Sequence, residues 1–181
     1  MFTLREEGLR PPRRAGFTAG TPCYSSCLMG HLHFHVEIAA PLDRVFVFFV
    51  PQRMPLWYAP EMETCFEIAG GESDFRAGQK VKITGHLGKR EVSLVAVVQR
   101  YDWLRALEWE FHDPYGVRGR QMWEIQEISS KTQVVMHEWY TFPGRLGRWL
   151  DPFLMRPSIR ARDRRMLHTL KRLAEARGAS S

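Results

Sequence analysis

The sequence predicts an α+β domain: a strand, two short helices, an antiparallel meander of six strands, and a long helix at the C-terminus. Three observations carry this. The stretch "HLHFHVEI" (31–38) alternates polar and apolar residues, the period of a half-buried strand. Six more segments of strand composition follow between residues 62 and 142, separated by Gly, Asp, Ser and Pro at hairpin distances, so neighbours in sequence pair antiparallel. After Pro157 the spacing turns helical, with Ile159, Met166, Leu167, Leu170, Leu173 and Ala174 on one stripe and arginines on the other face, read as solvated.

Each element has a local reason. Pro41 suits a first helical turn, so residues 41–50 read as a helix. Pro51, Pro55 and Pro60 break it and leave a second short turn around 54–58 that carries Trp57 and Tyr58. The strands are "METCFEI", "QKVKITGHL", "REVSLVAVVQRY", "LRALEWEFHD", "VRGRQMWEIQEI" and "TQVVMHEWYTF". Leu146, Trp149, Leu150, Phe153 and Leu154 then share a helical stripe that Pro152 and Pro157 interrupt, and Pro157 can open the last helix. At about 1.5 Å per residue, a helix of roughly 20 residues lies across a whole sheet.

The 181 residues suffice for one domain with a substantial core. Hydrophobic residues make up 44% and charged residues 25%, and no apolar run reaches the roughly 20 residues that cross a bilayer. A transmembrane segment is not expected, no secretory signal is recognised, and the expected location is the cytoplasm. Cys23, Cys27 and Cys65 form no disulfide framework, which fits a reducing compartment. Residues 1–28, rich in Pro, Gly, Ser, Thr and Arg without period, read as a flexible leader; 29–177 form the domain and 178–181 a disordered tail. Met29, just before the first strand, is a candidate start. The net charge of +6 is uneven: residues 145–181 hold ten basic and three acidic groups, while residues 31–144 hold twelve and fifteen. A solvated helix face explains the basic tail, and no nucleic-acid partner is expected.

In this order the elements resemble the START-like (SRPBCC, birch-pollen-allergen-like) superfamily over residues 31–176. The resemblance rests on "VEIAAPLDRVFVFF", "MPLWYAPEM", "GQKVKI", "TQVVMHEWYTFPG" and "LHTLKRLAE", with "SSKTQV" standing where many members have a "GGTxV" turn. It implies a helix-grip fold, in which the seven-stranded sheet wraps around the C-terminal helix. It also implies binding of a small hydrophobic or aromatic ligand, lipid- or polyketide-like, between sheet and helix, by a monomer or homodimer. A polyketide cyclase or dehydratase using the same cavity is the alternative the resemblance allows.

A single helix cannot fill the concave side of a curved sheet, so a cavity is expected there. Alternation puts Leu107, Trp109 and Phe111 on one face of their strand, and Trp123 with Ile125 on one face of the next. In the last strand Val134, Met136, Glu138 and Tyr140 share a face, while Val135, His137 and Trp139 share the other. The resemblance implies that the first of these faces points inward, because Val134 and Tyr140 match inward apolar positions of the superfamily. Trp57 and Tyr58 either line the cavity mouth or plug the open edge of the sheet. With Phe153 and Leu154 from the helical stripe, these residues make up the candidate ligand site: Trp57, Tyr58, Leu107, Trp109, Phe111, Trp123, Met136, Glu138, Tyr140, Phe153 and Leu154. A carboxylate in such a cavity would orient a polar ligand group or carry a proton, so Glu138, His137 and Tyr140 are the candidate catalytic groups. His31, His33 and His35 share a strand face but lack a carboxylate or Cys partner, and no metal or cofactor is expected. The sequence holds no phosphate-binding glycine loop, nucleophile elbow or dinucleotide fingerprint.

Overall fold

The computed structural model of the chain describes residues 30–144 and 151–176, apart from the Leu154 side chain. The leader, Cys23, Cys27, Leu146, Trp149, Leu150 and the tail after 176 lie outside the described residues.

Seven strands form a single antiparallel sheet: β1 (Gly30–Ile38), β2 (Cys65–Ile68), β3 (Lys80–Leu87), β4 (Arg90–Asp102), β5 (Ala106–His112), β6 (Arg118–Ile128) and β7 (Lys131–Thr141), in the order β1-β7-β6-β5-β4-β3-β2. Between β1 and β2 lie α1 (Leu42–Phe46) and three 3-10 turns, Val47–Phe49, Met54–Leu56 and Pro60–Met62. A π-helical turn, Asp151–Met155, runs directly into the long helix α2 (Arg156–Ala176). This is the helix-grip arrangement.

The differences from expectation lie at element ends. The helix expected over 41–50 is α-helical only to Phe46 and then tightens into a 3-10 turn before Pro51. The "METCFEI" strand pairs only from Cys65, because Ala59 (φ 43°) and Glu63 (φ 50°) bracket the Pro60–Met62 turn in left-handed conformations that no strand allows. At the β6–β7 hairpin, Ile128 pairs with Lys131 and both loop residues, Ser129 (φ 51°) and Ser130 (φ 66°), have positive φ. The chain thus makes the twisted two-residue turn that usually calls for Asn-Gly, but with two serines.

α2 turns Met166, Leu167, Leu170 and Ala174 into the core. Its far end is tied to β1 by polar contacts: the Ala39 N–H donates to Glu175 Oε1 at 2.8 Å, and Lys171 Nζ donates to the Glu37 carbonyl at 2.6 Å. Among the described residues no helix is long and apolar enough to cross a membrane.

Candidate functional site

Strand register builds the site. Leu32 pairs with Glu138, Glu138 with Gln121, Gln121 with Trp109, and Trp109 with Val98, so one row crosses five strands. Phe34, Met136, Trp123 and Leu107 form the row beside it. A bulge between Val98 and Arg100 shifts β4 by one residue before Tyr101 pairs with Leu107. Every residue of the two rows apart from Tyr101 is buried, which settles the inward face of β7 as the one that carries Glu138.

The rows form a polar chain inside an apolar core. Tyr58 Oη donates to Gln121 Oε1 at 2.8 Å and Trp109 Nε1 donates to the same oxygen at 3.1 Å. Gln121 Nε2 donates to Glu138 Oε2 at 2.8 Å. From α2, Arg162 Nη2 reaches both Glu138 oxygens at 2.9 and 2.7 Å, and also Asp163 Oδ1 at 2.8 Å. Glu138 is 1% exposed and Asp163 is fully buried, whereas the Arg162 side chain keeps 28% of its surface. One guanidinium thus serves two buried carboxyl groups, and Asp163 Oδ2 meets no hydrogen-bond donor.

Burial governs the proton equilibria here. It pushes the Tyr58 phenol well above its usual range, against the pull of Arg162. Burial and then the Glu138 carboxylate raise the Asp163 carboxyl far above an ordinary aspartate, although Arg162 draws it down. Burial opposes the Arg162 charge, but Glu138 and Asp163 more than offset this and bind its proton tighter.

Trp57 and Tyr58 lie inside the core. Trp57 Nε1 donates to the Phe48 carbonyl at 2.7 Å, and its ring stands edge-on to Trp123 at 6.4 Å. Trp109 and Trp123 meet edge-to-face at 4.8 Å. Trp57, Leu107, Trp109, Trp123 and Met136 are all 0% exposed, so no water-sized space touches them. The expected gap between sheet and helix is therefore filled at these positions by the rings themselves. A depression of about 440 Å³ lies elsewhere, on the outer end of α2, lined by His168, Lys171, Arg172, Glu175 and Ala176.

Other candidates divide. Tyr140 is buried on the Glu138 face, its phenol pushed up to about 12 chiefly by burial. Phe111 is partly buried and lies over Gly119, where a Cβ would come within 2.3 Å of its ring. Phe153 is 75% exposed. Leu154 lies outside the described side chains. His137 is on the opposite face of β7 from Glu138 and cannot share a site with it. There it joins an outer stack with His33 at 4.5 Å and Trp139 at 5.4 Å, and hydrogen-bonds His31 at 3.3 Å. Burial, then His33, His31 and Arg120, lower its pKa to about 4. Among the described residues no group of three or more His, Cys, Asp or Glu side chains is placed to hold a metal ion.

Sequence reasoning missed Gln121, Arg162 and Asp163. The signal for Asp163 was present: it falls at i, i+3, i+4, i+7 and i+11 with Met166, Leu167, Leu170 and Ala174, on the buried stripe. The arginines of α2 are accordingly not all solvated, because Arg162 turns inward to this carboxyl and to Glu138.

The sequence model of the polyketide cyclase / dehydrase and lipid transport family matches residues 29–175. The chain belongs to this family. The family, of START-like (SRPBCC) type, is described by chemistry on polyketides and carriage of lipids, and so by hydrophobic ligands in general. Solved structures share the fold. A Staphylococcus aureus protein of unknown function superposes with a TM-score of 0.65 at 11% identity, covering 84% of this chain and 99% of that one. TTHA0849 from Thermus thermophilus gives 0.61 at 20% identity, with 84% and 100% covered. Ara h 8.0201 gives 0.60 at 8% identity, with 81% and 97% covered. A search of curated proteins found no match.

Proposed function

We propose that this chain binds a small hydrophobic or aromatic ligand, lipid- or polyketide-like, between the sheet and α2, with the cluster of Tyr58, Gln121, Glu138 and Arg162 holding the ligand's polar group. The buried ion pair between Glu138 and Arg162 carries the reading. A hydrocarbon pair of similar volume would serve stability as well or better at such a position, so charges kept there point to a use beyond folding. The family's description, which joins polyketide chemistry to lipid transport, supports the same class of ligand. Because the aromatic rings now fill the interior, a ligand enters by displacing them. The segment 54–62 is the part suited to move, since it carries Trp57 and Tyr58 on short 3-10 turns beside the left-handed Ala59.

The test is a native mass spectrum of the freshly purified protein together with titration by naphthalene. A co-purified apolar molecule, or quenching of tryptophan emission at micromolar naphthalene, is the expected result. A clean apo spectrum with no quenching sinks the reading.

A second reading, a cyclase or dehydratase on the same site, is favoured by the two carboxyl groups on one guanidinium, which can take up and release a proton within the apolar interior. Turnover of a polyketide mimic that vanishes in Glu138→Gln would establish it, and no turnover would leave binding alone.

A further inference from the structure

We propose that Glu138 and Asp163 share a single proton at neutral pH, and that this pair with Arg162 makes the site select an uncharged ligand bearing a carbonyl oxygen over a carboxylate of the same shape. The second half of this rests on the ligand-binding reading above; the first half does not.

Charge balance decides the protonation state. Arg162 Nη2 lies 2.7 Å from Glu138 Oε2 and 2.8 Å from Asp163 Oδ1, so two carboxyl groups converge on one nitrogen. Their residues are 1% and 0% exposed. Two ionised carboxylates with one guanidinium would leave a net negative charge out of reach of water, which is far costlier than keeping one proton on the pair. Among the described residues, Arg162 is the cation that contacts both carboxyl groups. Tyr58 faces the cluster as a neutral phenol that donates to Gln121, and Gln121 is an amide.

The location of the proton follows from the hydrogen bonds. Glu138 is well supplied with donors, receiving Gln121 Nε2 on Oε2 and Arg162 Nη2 on both oxygens. Asp163 receives Arg162 Nε on Oδ1 at 2.9 Å, while its Oδ2 is buried and has no donor. A bare carboxylate oxygen in that position would be unsatisfied, but a protonated one becomes a donor itself. The raised Asp163 pKa, caused first by burial and then by Glu138, agrees with this arrangement.

Ligand chemistry follows. The site offers acid protons and N–H groups beside a carboxylate, with Arg162 already neutralised. A ketone or enol oxygen can accept from such a cluster, whereas an incoming carboxylate would add an uncompensated negative charge.

Two measurements decide the matter. Infrared spectra at neutral pH should show a protonated-carboxyl C=O band in the parent that is lost in both Asp163→Asn and Glu138→Gln, because removing either partner leaves the other ionised beside Arg162. Absence of the band in the parent overturns the shared proton. A band that survives in either variant also overturns it, since the proton is then held without the partner carboxyl. Should one variant fail to fold, the parent and the other variant still decide. Separately, 2-acetylnaphthalene should bind at least about tenfold more tightly than 2-naphthoate. Equal or reversed affinities overturn the ligand preference alone. If neither probe binds, the ligand-binding reading fails and the preference with it, while the infrared result stands on its own.

Discussion

Glu138 of β7 and Arg162 of α2 meet at 2.7 Å across the interior, the acid almost wholly buried and the guanidinium still partly wet. Removing one partner therefore differs from removing both. Arg162→Met should cost about 3–5 kcal/mol in urea denaturation, since it strands buried carboxyl groups. The triple variant Glu138→Met, Arg162→Met, Asp163→Leu should recover most of that loss. Arg164→Ala, on the exposed side of the helix, should stay within about 0.5 kcal/mol. A triple variant as unstable as the single one would show that packing, and not charge, governs the site.

The raised Asp163 pKa fixes a sign for pH dependence. In the unfolded chain the group titrates near 3.8 and in the fold well above it. Its stabilising contribution is thus complete below about pH 4 and is lost as pH rises towards the folded value, because the unfolded state releases the proton first. Asp163→Asn removes this slope. Stability measured from pH 4 upward should fall more steeply in the parent than in Asp163→Asn, and parallel curves would contradict the raised pKa.

Trp109 is packed on all sides, with Trp123 at 4.8 Å, Tyr58 at 5.7 Å and Phe75 at 6.0 Å. Trp109→Ala should cost about 3–5 kcal/mol, the range for a close-packed aromatic and more than a residue facing open space would cost. The void left behind is shaped for a ring. Indole at millimolar concentration should raise the melting temperature of the variant by more than it raises that of the parent.

Gly119 is a packing requirement of the sheet's inner surface. A Cβ at this position would sit 2.3 Å from the Phe111 ring and 2.6 Å from the Trp139 carbonyl. Gly119→Ala should destabilise by about 1–3 kcal/mol in chemical denaturation, and a neutral result would mean the Phe111 ring swings freely aside.

The parts of this molecule that depend on local period were legible in the sequence. Alternation in "TQVVMHEWYTF" gave the two faces of β7, and the hairpin spacing gave the order of the meander. The polar chain was not legible because it depends on lateral register, a long-range property. Gln121 lies opposite Glu138 only once the β6–β7 hairpin has closed in its register, and nothing within "VRGRQMWEIQEI" marks one glutamine as buried. Arg162 was hidden for a different reason. It sits among arginines that do face water, and only its proximity to Glu138 sets it apart. The packed interior was likewise invisible, since fold shape predicts a space but ring volumes decide whether it stays open.

Sheet topology also sets the order in which this protein can assemble. Every strand pair joins neighbours in sequence except β1 with β7, whose contacting side chains His31 and His137 stand 106 positions apart. Hairpins close quickly, whereas bringing distant ends together carries the larger entropic cost and slows the search. On a ribosome the first strand emerges long before its partner exists, so its apolar face of Leu32, Phe34, Val36 and Ile38 must wait uncovered until β7 and α2 have been made. The interval before that last closure is when a nascent chain of this fold most needs a chaperone.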